Sequence, residues 1–308
     1  MIVELRQTTT AQVAKKLQEL RESGGVVALG RVLSLIVETD VQDLEQAVEN
    51  ANGASKLHPS RIIVIAKNTE EKTWLDAEIR VGGDAGASEV VILRANSEVF
   101  QNIESLVSGL LLPDAPIVAW WPTFAPVNPG RSSIGLLAGR RITDSARQEN
   151  PVRFLKELAR NYHPGDGDAA WTRITLWRSQ LAAVYEAHIG QDVVQAKVFG
   201  SADSPSAHLL AAWLGLKLGT IVSLDSTSNA DQVSGIRGVE IELSSGRISM
   251  TRKDQTVTIE QPGQPISAGL LPPRSDLDCL VEDLRFLGED EIYAEVLLKG
   301  LAHDNEGS

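Results

Sequence analysis

The chain has 308 residues and a formal net charge of −12, with 43% hydrophobic and 23% charged residues. This acidic balance excludes a general nucleic-acid binder and a polybasic membrane protein, and no apolar run approaches the ~20 residues of a membrane helix. The single cysteine, Cys279, excludes an intramolecular disulfide and a cysteine-based zinc site. These features predict a soluble, cytoplasmic protein that binds neither nucleic acid nor membrane.

The first part of the chain alternates helices and strands. Apolar residues at helical spacing predict a helix at residues 8–22 and a second helix, capped by Asp40, with Val41 and Leu44 on its buried stripe. Runs of β-branched and aliphatic residues predict strands at 26–37, 61–65, 74–81 and 89–93. The helical crossover between the first two strands predicts that they are parallel.

A glycine-rich loop at residues 82–86 lies between two of these strands. A dinucleotide-binding fingerprint needs a strand, the spacing G-x-G-x-x-G and then a helix whose N-terminus faces the pyrophosphate. Here the spacing is G-G-x-x-G, and a strand follows it. The loop is therefore interpreted as a wide turn, and the sequence predicts no nucleotide cofactor.

The most apolar run of the sequence ends in a short strand at residues 116–121, after a helix predicted to start at Asn96 or Ser97. Its side chains are apolar on both faces, which is typical of a central strand with covering layers on both sides. Trp120 and Trp121 are adjacent and therefore point to opposite faces. Either both are core residues, or one is an aromatic anchor for a ligand or partner at the strand end.

A second group of elements follows a turn-rich segment at residues 162–168, the predicted domain boundary. Helices are predicted from Pro151, at 169–188 and at 205–218, with strands at 193–199 and 220–224. Three strands that alternate apolar and polar residues then predict an antiparallel meander with one wet face. Residues 261–273 contain prolines and glycines and are predicted to be a linker, before acidic helices that begin at Ser275.

These elements predict an α/β fold class with two domains. Residues 1–165 are expected to form an N-terminal α/β domain whose mixed, largely parallel sheet has flanking helices. Residues 166–308 are expected to form a second α/β domain, with an antiparallel meander and acidic terminal helices.

The sequence shows no catalytic constellation. The five histidines are scattered without metal-ligand spacing, and neither a G-x-S-x-G elbow nor a Walker loop occurs. Cys279 lies beside Asp278 and near Glu282, and neighbouring negative charge disfavours a reactive thiolate. Glu240 and Glu242 fall on the wet face of the meander. The sequence therefore predicts a non-catalytic protein without cofactor or metal.

Tryptophans and arginines in the basic middle of the chain stand out instead. Both residue types are enriched at protein–protein hot spots. They suggest an aromatic and arginine surface, and the candidate partner interface consists of Trp120, Trp121, Arg140, Arg141, Asp144, Trp171, Arg173, Trp177 and Arg178. Trp171 and Trp177 lie on different faces of the predicted helix, so either one is buried while the other is presented, or both cover the core with their edges.

A set of motifs runs in order along the chain: RVLSL at 31–35, HPSRIIV at 58–64, LDAEIR at 75–80, GGDAGASE at 82–89, LLPDAP at 111–116, AWWP at 119–122, RRITDS at 140–145 and WTRITLWR at 171–178. Together they resemble the OpcA family of bacterial glucose-6-phosphate dehydrogenase assembly proteins. The resemblance implies a non-catalytic accessory protein that binds glucose-6-phosphate dehydrogenase, expected to be a tetramer. It would favour the active oligomer and supply the oxidative pentose phosphate pathway. It implies no catalytic residues and no cofactor.

Two alternatives stay open beside this resemblance. The first is a phosphosugar-binding regulatory module, in which Arg140, Arg141 and Arg173 grip the phosphate, because a planar guanidinium offers paired donors. The second is an enzyme of sugar-phosphate metabolism whose active site is assembled from residues far apart in the sequence.

Overall fold

The computed structural model describes residues 1–23, 32–68, 74–81, 89–96, 98–226 and 235–301. The chain divides into two compact units. The first unit contains Met1–Arg147, His163–Gly167 and Asp276–Glu289, and the second contains Gln148–Tyr162, Asp168–Ser275 and Asp290–Ser308. The units are therefore discontinuous in sequence, and the assignment of domains to residues 1–165 and 166–308 stays a prediction.

The first unit is built on a largely parallel sheet. Its strands are β1 Ile2–Thr8, β2 Leu33–Asp40, β3 Ser60–Asn68, β4 Leu75–Arg80, β5 Glu89–Asn96, β6 Ile117–Trp120, β7 Arg140–Thr143 and β8 Asp166–Asp168. They lie in the order β1-β4-β5-β3-β2-β6-β7-β8. Strands β5, β3, β2, β6 and β7 are parallel neighbours, and β4 joins them antiparallel. The prediction of a mixed, mostly parallel sheet is confirmed.

Helices cover both faces of this sheet. They are α1 Thr10–Ser23, α2 Leu44–Ser55, α3 Ile103–Ser108 and, from the later part of the chain, α8 Asp276–Asp283. On β3, Ile62 joins the apolar cluster with α2 and α8, whereas its neighbour Ile63 joins the cluster with α1 and α3. Successive side chains point to opposite faces, so an unbroken apolar run is what a doubly covered strand requires.

Several local predictions for this unit need correction. Val41 is 43% exposed and lies before α2, whose N-cap is Asp43 rather than Asp40. The helix predicted after Asn96 is divided into a 3-10 turn and the short α3. Three predicted features lie outside the described residues: the strand residues 26–31, the glycine-rich loop 82–86 and the cap at Ser97.

The second unit contains a mostly antiparallel sheet. Its strands are β9 Val193–Gly200, β10 Val222–Asp225, β11 Ile236–Leu243, β12 Gly246–Lys253, β13 Thr256–Glu260 and β14 Ser267–Leu270. They lie in the order β10-β9-β11-β12-β13-β14, with β10 parallel to β9 and the other pairs antiparallel. One face is buried, as at Ile241, and the other carries polar residues such as Glu240. The predicted meander is confirmed.

Helices of the second unit pack on the buried face. They are α4 Pro151–Arg160, α5 Ala169–Arg173, α6 Thr175–Glu186, α7 Pro205–Leu218 and α9 Glu291–Glu295, which continues as a π-helical turn. Ser204 caps α7 by accepting a hydrogen bond from the Ala207 amide, and Gly219 ends it in the left-handed conformation. In the described parts of the chain, no helix combines the length and apolarity needed to cross a bilayer.

Two predictions for the second unit are wrong. The single helix predicted at 169–188 is interrupted at Ile174, because β-branched residues at 172, 174 and 175 disfavour a continuous helix. The linker predicted at 261–273 contains β14, which pairs with β13 in a regular register from Thr256–Leu270 to Ile259–Ser267. Its serine, alanine and glycine are weak strand formers, so only the pairing with β13 reveals the strand.

Candidate partner interface

The two central tryptophans are part of the core of the first unit. Trp120 is 3% exposed and packs with α2 and α8, whereas Trp121 is fully buried on the opposite side of the sheet. The prediction of opposite faces is therefore correct. Trp121 follows the last residue of β6, and its amide donates to the carbonyl of Ile142 at 2.9 Å.

Trp121 is anchored by a carboxylate from the neighbouring strand. Its indole Nε1 donates to Oε2 of Glu38 on β2 at 2.7 Å, and the ammonium of Lys67 on β3 pairs with the same carboxylate. These groups meet because parallel strands place their carboxyl ends at one edge of the sheet. The contacts hold the indole within the fold rather than presenting it to a partner.

The adjacent arginines of β7 are also buried, at 5% exposed for Arg140 and 7% for Arg141. Nη2 of Arg140 donates to Oδ1 of Asp283 at 2.7 Å, while its Nε and Nη1 lack a hydrogen-bond partner. A Cβ atom on residue 167 would lie 2.5 Å from Arg140 Nη2, so any residue larger than Gly167 would displace this guanidinium. Arg141 is held by the Asp166 carboxylate and by backbone carbonyls, including that of residue 138 at 2.7 Å.

The two candidate tryptophans of the second unit, Trp171 and Trp177, belong to its apolar cluster and are each 3% exposed. Trp171 donates from Nε1 to Oδ2 of Asp290 at 2.8 Å, which ties α5 to the N-terminus of α9. The guanidinium of Arg178 stacks 3.6 Å above the Trp171 ring, a favourable cation–π arrangement. Arg173 and Arg178 are half-buried.

The nine predicted residues therefore do not form one exposed surface. Asp144 is also buried, at 3% exposed, so only Arg173 and Arg178 retain substantial exposure. The tryptophans take the core alternative, because packing within each unit covers their large side chains. A role for these residues in binding a partner stays a prediction.

Sequence reasoning missed an exposed apolar segment after β6. Phe124 is 70% exposed and Val127 is 50% exposed. Phe124 has a φ of 48°, a strained value for a residue other than glycine, and such strain is concentrated at functional positions. An aromatic residue in a proline-rich loop, directly beyond the central strand, is a signal that the sequence does contain.

Charged residues of β4 and β5 form a network with α2. Arg80 donates to Glu45 at 2.7 and 2.8 Å and to Glu78 at 2.5 Å, and Arg94 donates to Glu78 at 2.7 Å. Burial raises the pKa of Glu78, but the hydrogen bonds from Arg80 and Arg94 outweigh burial and place that pKa below its ordinary value. The Arg80 hydrogen bond likewise lowers the pKa of Glu45.

Groups with catalytic potential are dispersed across the described residues. His58 lies 3.1 Å from the carbonyl of Val281, and His188 lies 3.2 Å from the side chain of Gln261, whereas His303 lies outside the described residues. Glu242 pairs with Arg247 at 2.9 Å on the open face of the second sheet. Among the described residues, no group of three or more histidine, cysteine or carboxylate side chains is placed to hold a metal ion.

Solved structures similar to this chain include scyllo-inositol dehydrogenase from Lactobacillus casei. Its apo crystal structure is 11% identical with a TM-score of 0.40, and covers 89% of this chain and 94% of that chain. The structure with bound NAD(H) and scyllo-inositol is also 11% identical, with a TM-score of 0.37, and covers 87% and 93%. Likeness at this level carries no argument about function.

The comparisons by sequence are more informative. The putative OxPP cycle protein OpcA of Synechocystis sp. (strain ATCC 27184 / PCC 6803 / Kazusa) is 24% identical over 140 residues, which are 42% of this chain and 30% of that relative. Residues 51–160 match the family of the glucose-6-phosphate dehydrogenase subunit N-terminal domain, and residues 164–297 match that of its C-terminal domain. The chain belongs to the OpcA family of glucose-6-phosphate dehydrogenase assembly proteins.

Proposed function

We propose that this chain is a non-catalytic assembly factor that binds glucose-6-phosphate dehydrogenase and favours its active oligomer. The observation that carries the proposal is the match of successive segments, residues 51–160 and 164–297, to the two families named for a subunit of that enzyme. The name of the Synechocystis relative supports a place in the oxidative pentose phosphate pathway. The proposal keeps the cytoplasmic location expected from the sequence.

The proposed mechanism is a shift in the oligomerisation equilibrium of the enzyme, whose active form is expected to be a tetramer. A bound protein stabilises one state only by the difference between its affinities for the two states. The assembly factor would therefore bind the active oligomer more tightly than the smaller species. No group on this chain needs to touch the enzyme's substrate for this effect.

The proposed contacts are the exposed residues rather than the buried tryptophans. Phe124 and Val127 offer an apolar surface on one loop, and aromatic side chains are frequent hot spots. Arg173 and Arg178 remain candidates from the sequence because they are half-buried rather than fully enclosed. Each unit thus contributes its own candidate contacts.

The test is a titration of the chain into purified glucose-6-phosphate dehydrogenase. Initial rate and molar mass are followed together, by enzyme assay and light scattering. A complex with a larger fraction of active oligomer is expected. An enzyme whose rate and mass do not change at any concentration of the chain would refute the proposal.

The contact at Phe124 has a matched control in Phe286. Phe124 is 70% exposed and Phe286 is 64% exposed, and both belong to the first unit. Phe124→Ala is expected to weaken the complex about tenfold or more, the effect of removing a hot-spot side chain. Phe286→Ala should leave the affinity within about twofold. Equal effects of the two substitutions would remove Phe124 from the interface.

A phosphosugar-binding module is the second candidate, and one observation favours it. Nε and Nη1 of Arg140 lack hydrogen-bond partners although the residue is only 5% exposed. Two contacts weigh against a phosphate site, because Arg140 already pairs with Asp283 and Arg141 already pairs with Asp166. These contacts occupy much of the hydrogen-bond donor capacity of the two guanidinium groups. Calorimetry of the chain with glucose 6-phosphate distinguishes the two, since a pure assembly factor gives no heat. An assay of the chain alone for dehydrogenase or lactonase turnover tests the enzyme alternative.

A further inference from the structure

Strand β14 is an exposed edge of the second sheet. It pairs with β13 on one side, and prolines 265 and 272 flank it in the sequence. Of the strands that end a sheet in the described part of the chain, β1, β8 and β10 contain charged residues, whereas β14 reads Ser-Ala-Gly-Leu. Charge on an edge strand is a common protection against pairing with another chain, and β14 lacks it.

The backbone of β14 has its outward-facing groups on alternate residues. The amide of Leu271 donates to the carbonyl of Gln255 at 2.7 Å, so residue 271 turns its backbone groups toward β13. In an antiparallel ladder, alternate residues turn their groups the other way. Ala268 and Leu270 therefore direct their amides and carbonyls away from β13. The carbonyl of Leu270 fits this direction, because it accepts a long 3.4 Å contact from Gln180.

The side chains of the same residues lie on the open face of the sheet. Ala268 is opposite Thr258, and Leu270 is opposite Thr256, whereas the buried face carries Val257. Residue 266 shares this open face by alternation. Ile266 and Leu270 are 69% and 74% exposed, so the edge offers apolar side chains beside backbone groups that β13 does not use.

We infer that β14 is a homodimer interface, in which two copies of this chain pair their β14 strands antiparallel about a twofold axis at Ala268. This register places Ile266 opposite the partner's Leu270 on both sides of the axis, and Ala268 opposite the partner's Ala268. Ala268 and the partner's Ala268 can exchange two backbone hydrogen bonds, and pairing of Leu270 with the partner's Ile266 replaces the long Gln180 contact at the Leu270 carbonyl. The pairing is self-complementary, as a twofold interface requires.

Charge favours a second copy as the occupant. Two identical charged strands would bring like charges together near the twofold axis, whereas β14 contains no charged residue. Ile–Leu cross-strand pairs also form twice in one symmetric contact. The net charge of −12 on each chain opposes association as a whole, so the dimer should be weak at low ionic strength and tighter when salt screens this repulsion.

The test uses sedimentation equilibrium of the full chain, without glucose-6-phosphate dehydrogenase, at concentrations up to about 1 mM, where even weak contacts are populated. The expected result is a reversible monomer–dimer equilibrium that salt strengthens. Ala268→Lys places two lysines together at the axis and is expected to raise the dimer dissociation constant about tenfold or more. Thr258→Lys is the matched control, because it adds the same charge on the same face one strand inward and should leave dimerisation unchanged.

A second variant guards against misfolding as the cause. Ala268→Pro removes an amide that points away from β13, so it should leave the sheet intact, as judged by circular dichroism, yet abolish the dimer. Hydrogen exchange provides an independent signal, since the amides of Ala268 and Leu270 should become protected as concentration rises. A chain that is monomeric throughout the series, or a dimer that Ala268→Lys and Ala268→Pro do not weaken, would overturn the inference. Because the enzyme is absent, the outcome is independent of the proposed assembly role.

Discussion

The two sheets of this protein differ in how many faces are covered. In the first sheet, adjacent residues Ile62 and Ile63 are both fully buried, because helices cover both sides. In the second sheet, Ile241 is buried, whereas its neighbour Glu240 lies on an open face. The apolar residues of the covered sheet are buried within the first unit and stabilise it. In the partly open sheet, some apolar residues remain exposed and can contact another protein.

The contrast is sharpest between β6 and β14. Strand β6 is rich in apolar residues and ends at Trp120, which Trp121 follows directly, yet little of it reaches solvent. Strand β14 is weakly apolar, yet Leu270 is 74% exposed. Apolar content therefore locates the core, and only coverage by neighbouring elements tells which apolar residues can meet a partner.

The largest expected effect concerns the covered sheet. Trp121→Ala should lower the free energy of unfolding by about 3–5 kcal/mol, because it removes a fully buried indole and leaves a cavity. It also deprives Glu38 of its 2.7 Å hydrogen bond. Phe124→Ala, which changes an exposed aromatic three residues later, should alter the free energy of unfolding by no more than about 0.5 kcal/mol. Urea denaturation measures both variants.

A second prediction compares a buried ion pair with an exposed one. Asp166→Asn removes the charge that neutralises Arg141, which is 7% exposed, and should cost about 3 kcal/mol of unfolding free energy. Glu157→Gln breaks the pair with Arg160, whose side chain is 65% exposed, and should cost no more than about 1 kcal/mol. Similar losses in thermal or urea unfolding would show that burial does not separate the two pairs.

Much of the fold could be predicted because its signals are local. Unbroken apolar runs and helical crossovers indicate parallel strands, and the alternation around Ile241 indicates a half-buried antiparallel strand. The break at Ile174 and the existence of β14 could not be predicted in this way. The first needs the balance between β-branched residues and packing, and the second needs a pairing partner.

The candidate interface was harder to predict than the fold. Tryptophan and arginine are frequent at interfaces, but the same side chains fill cores and buried ion pairs. Trp121 and Arg141 have the expected residue types, and their burial depends on Glu38, Asp166 and the covering helices, which are distant in sequence. Phe124 was overlooked because its loop carries no periodicity.

The third prediction tests the faces of the sheets directly with small deletions. Ile62→Val and Ile63→Val should each cost about 1 kcal/mol of unfolding free energy, because each removes a buried methylene from a covered face. Ile241→Val should cost about the same, whereas Glu240→Gln on the next position should stay within about 0.5 kcal/mol. A near-zero effect of either first-sheet variant would contradict its double coverage.

The smallest expected effect is a pH dependence in the first unit. The pKa of Glu78 is lowered in the folded chain, so the unfolded chain binds a proton at higher pH, near the ordinary value of about 4.3. The contribution of this carboxylate to stability is therefore complete above that value and is lost as the pH falls through the lower folded pKa. Urea titrations at a series of pH values from neutral to acid follow this loss.

Glu78→Gln cannot bind that proton, so its free energy of unfolding should fall less steeply than that of the unaltered chain as the pH is lowered. The slope of this free energy against pH should be smaller by up to about one proton per molecule. Glu260→Gln, at an exposed position on β13 of the second sheet, removes the same formal charge and serves as the control for the change in net charge. Because Glu78 is held by Arg80 and Arg94, its variant should also lose stability at neutral pH, where both partners remain charged. Identical acid slopes for the unaltered chain and Glu78→Gln would mean that this network does not favour ionised Glu78 upon folding.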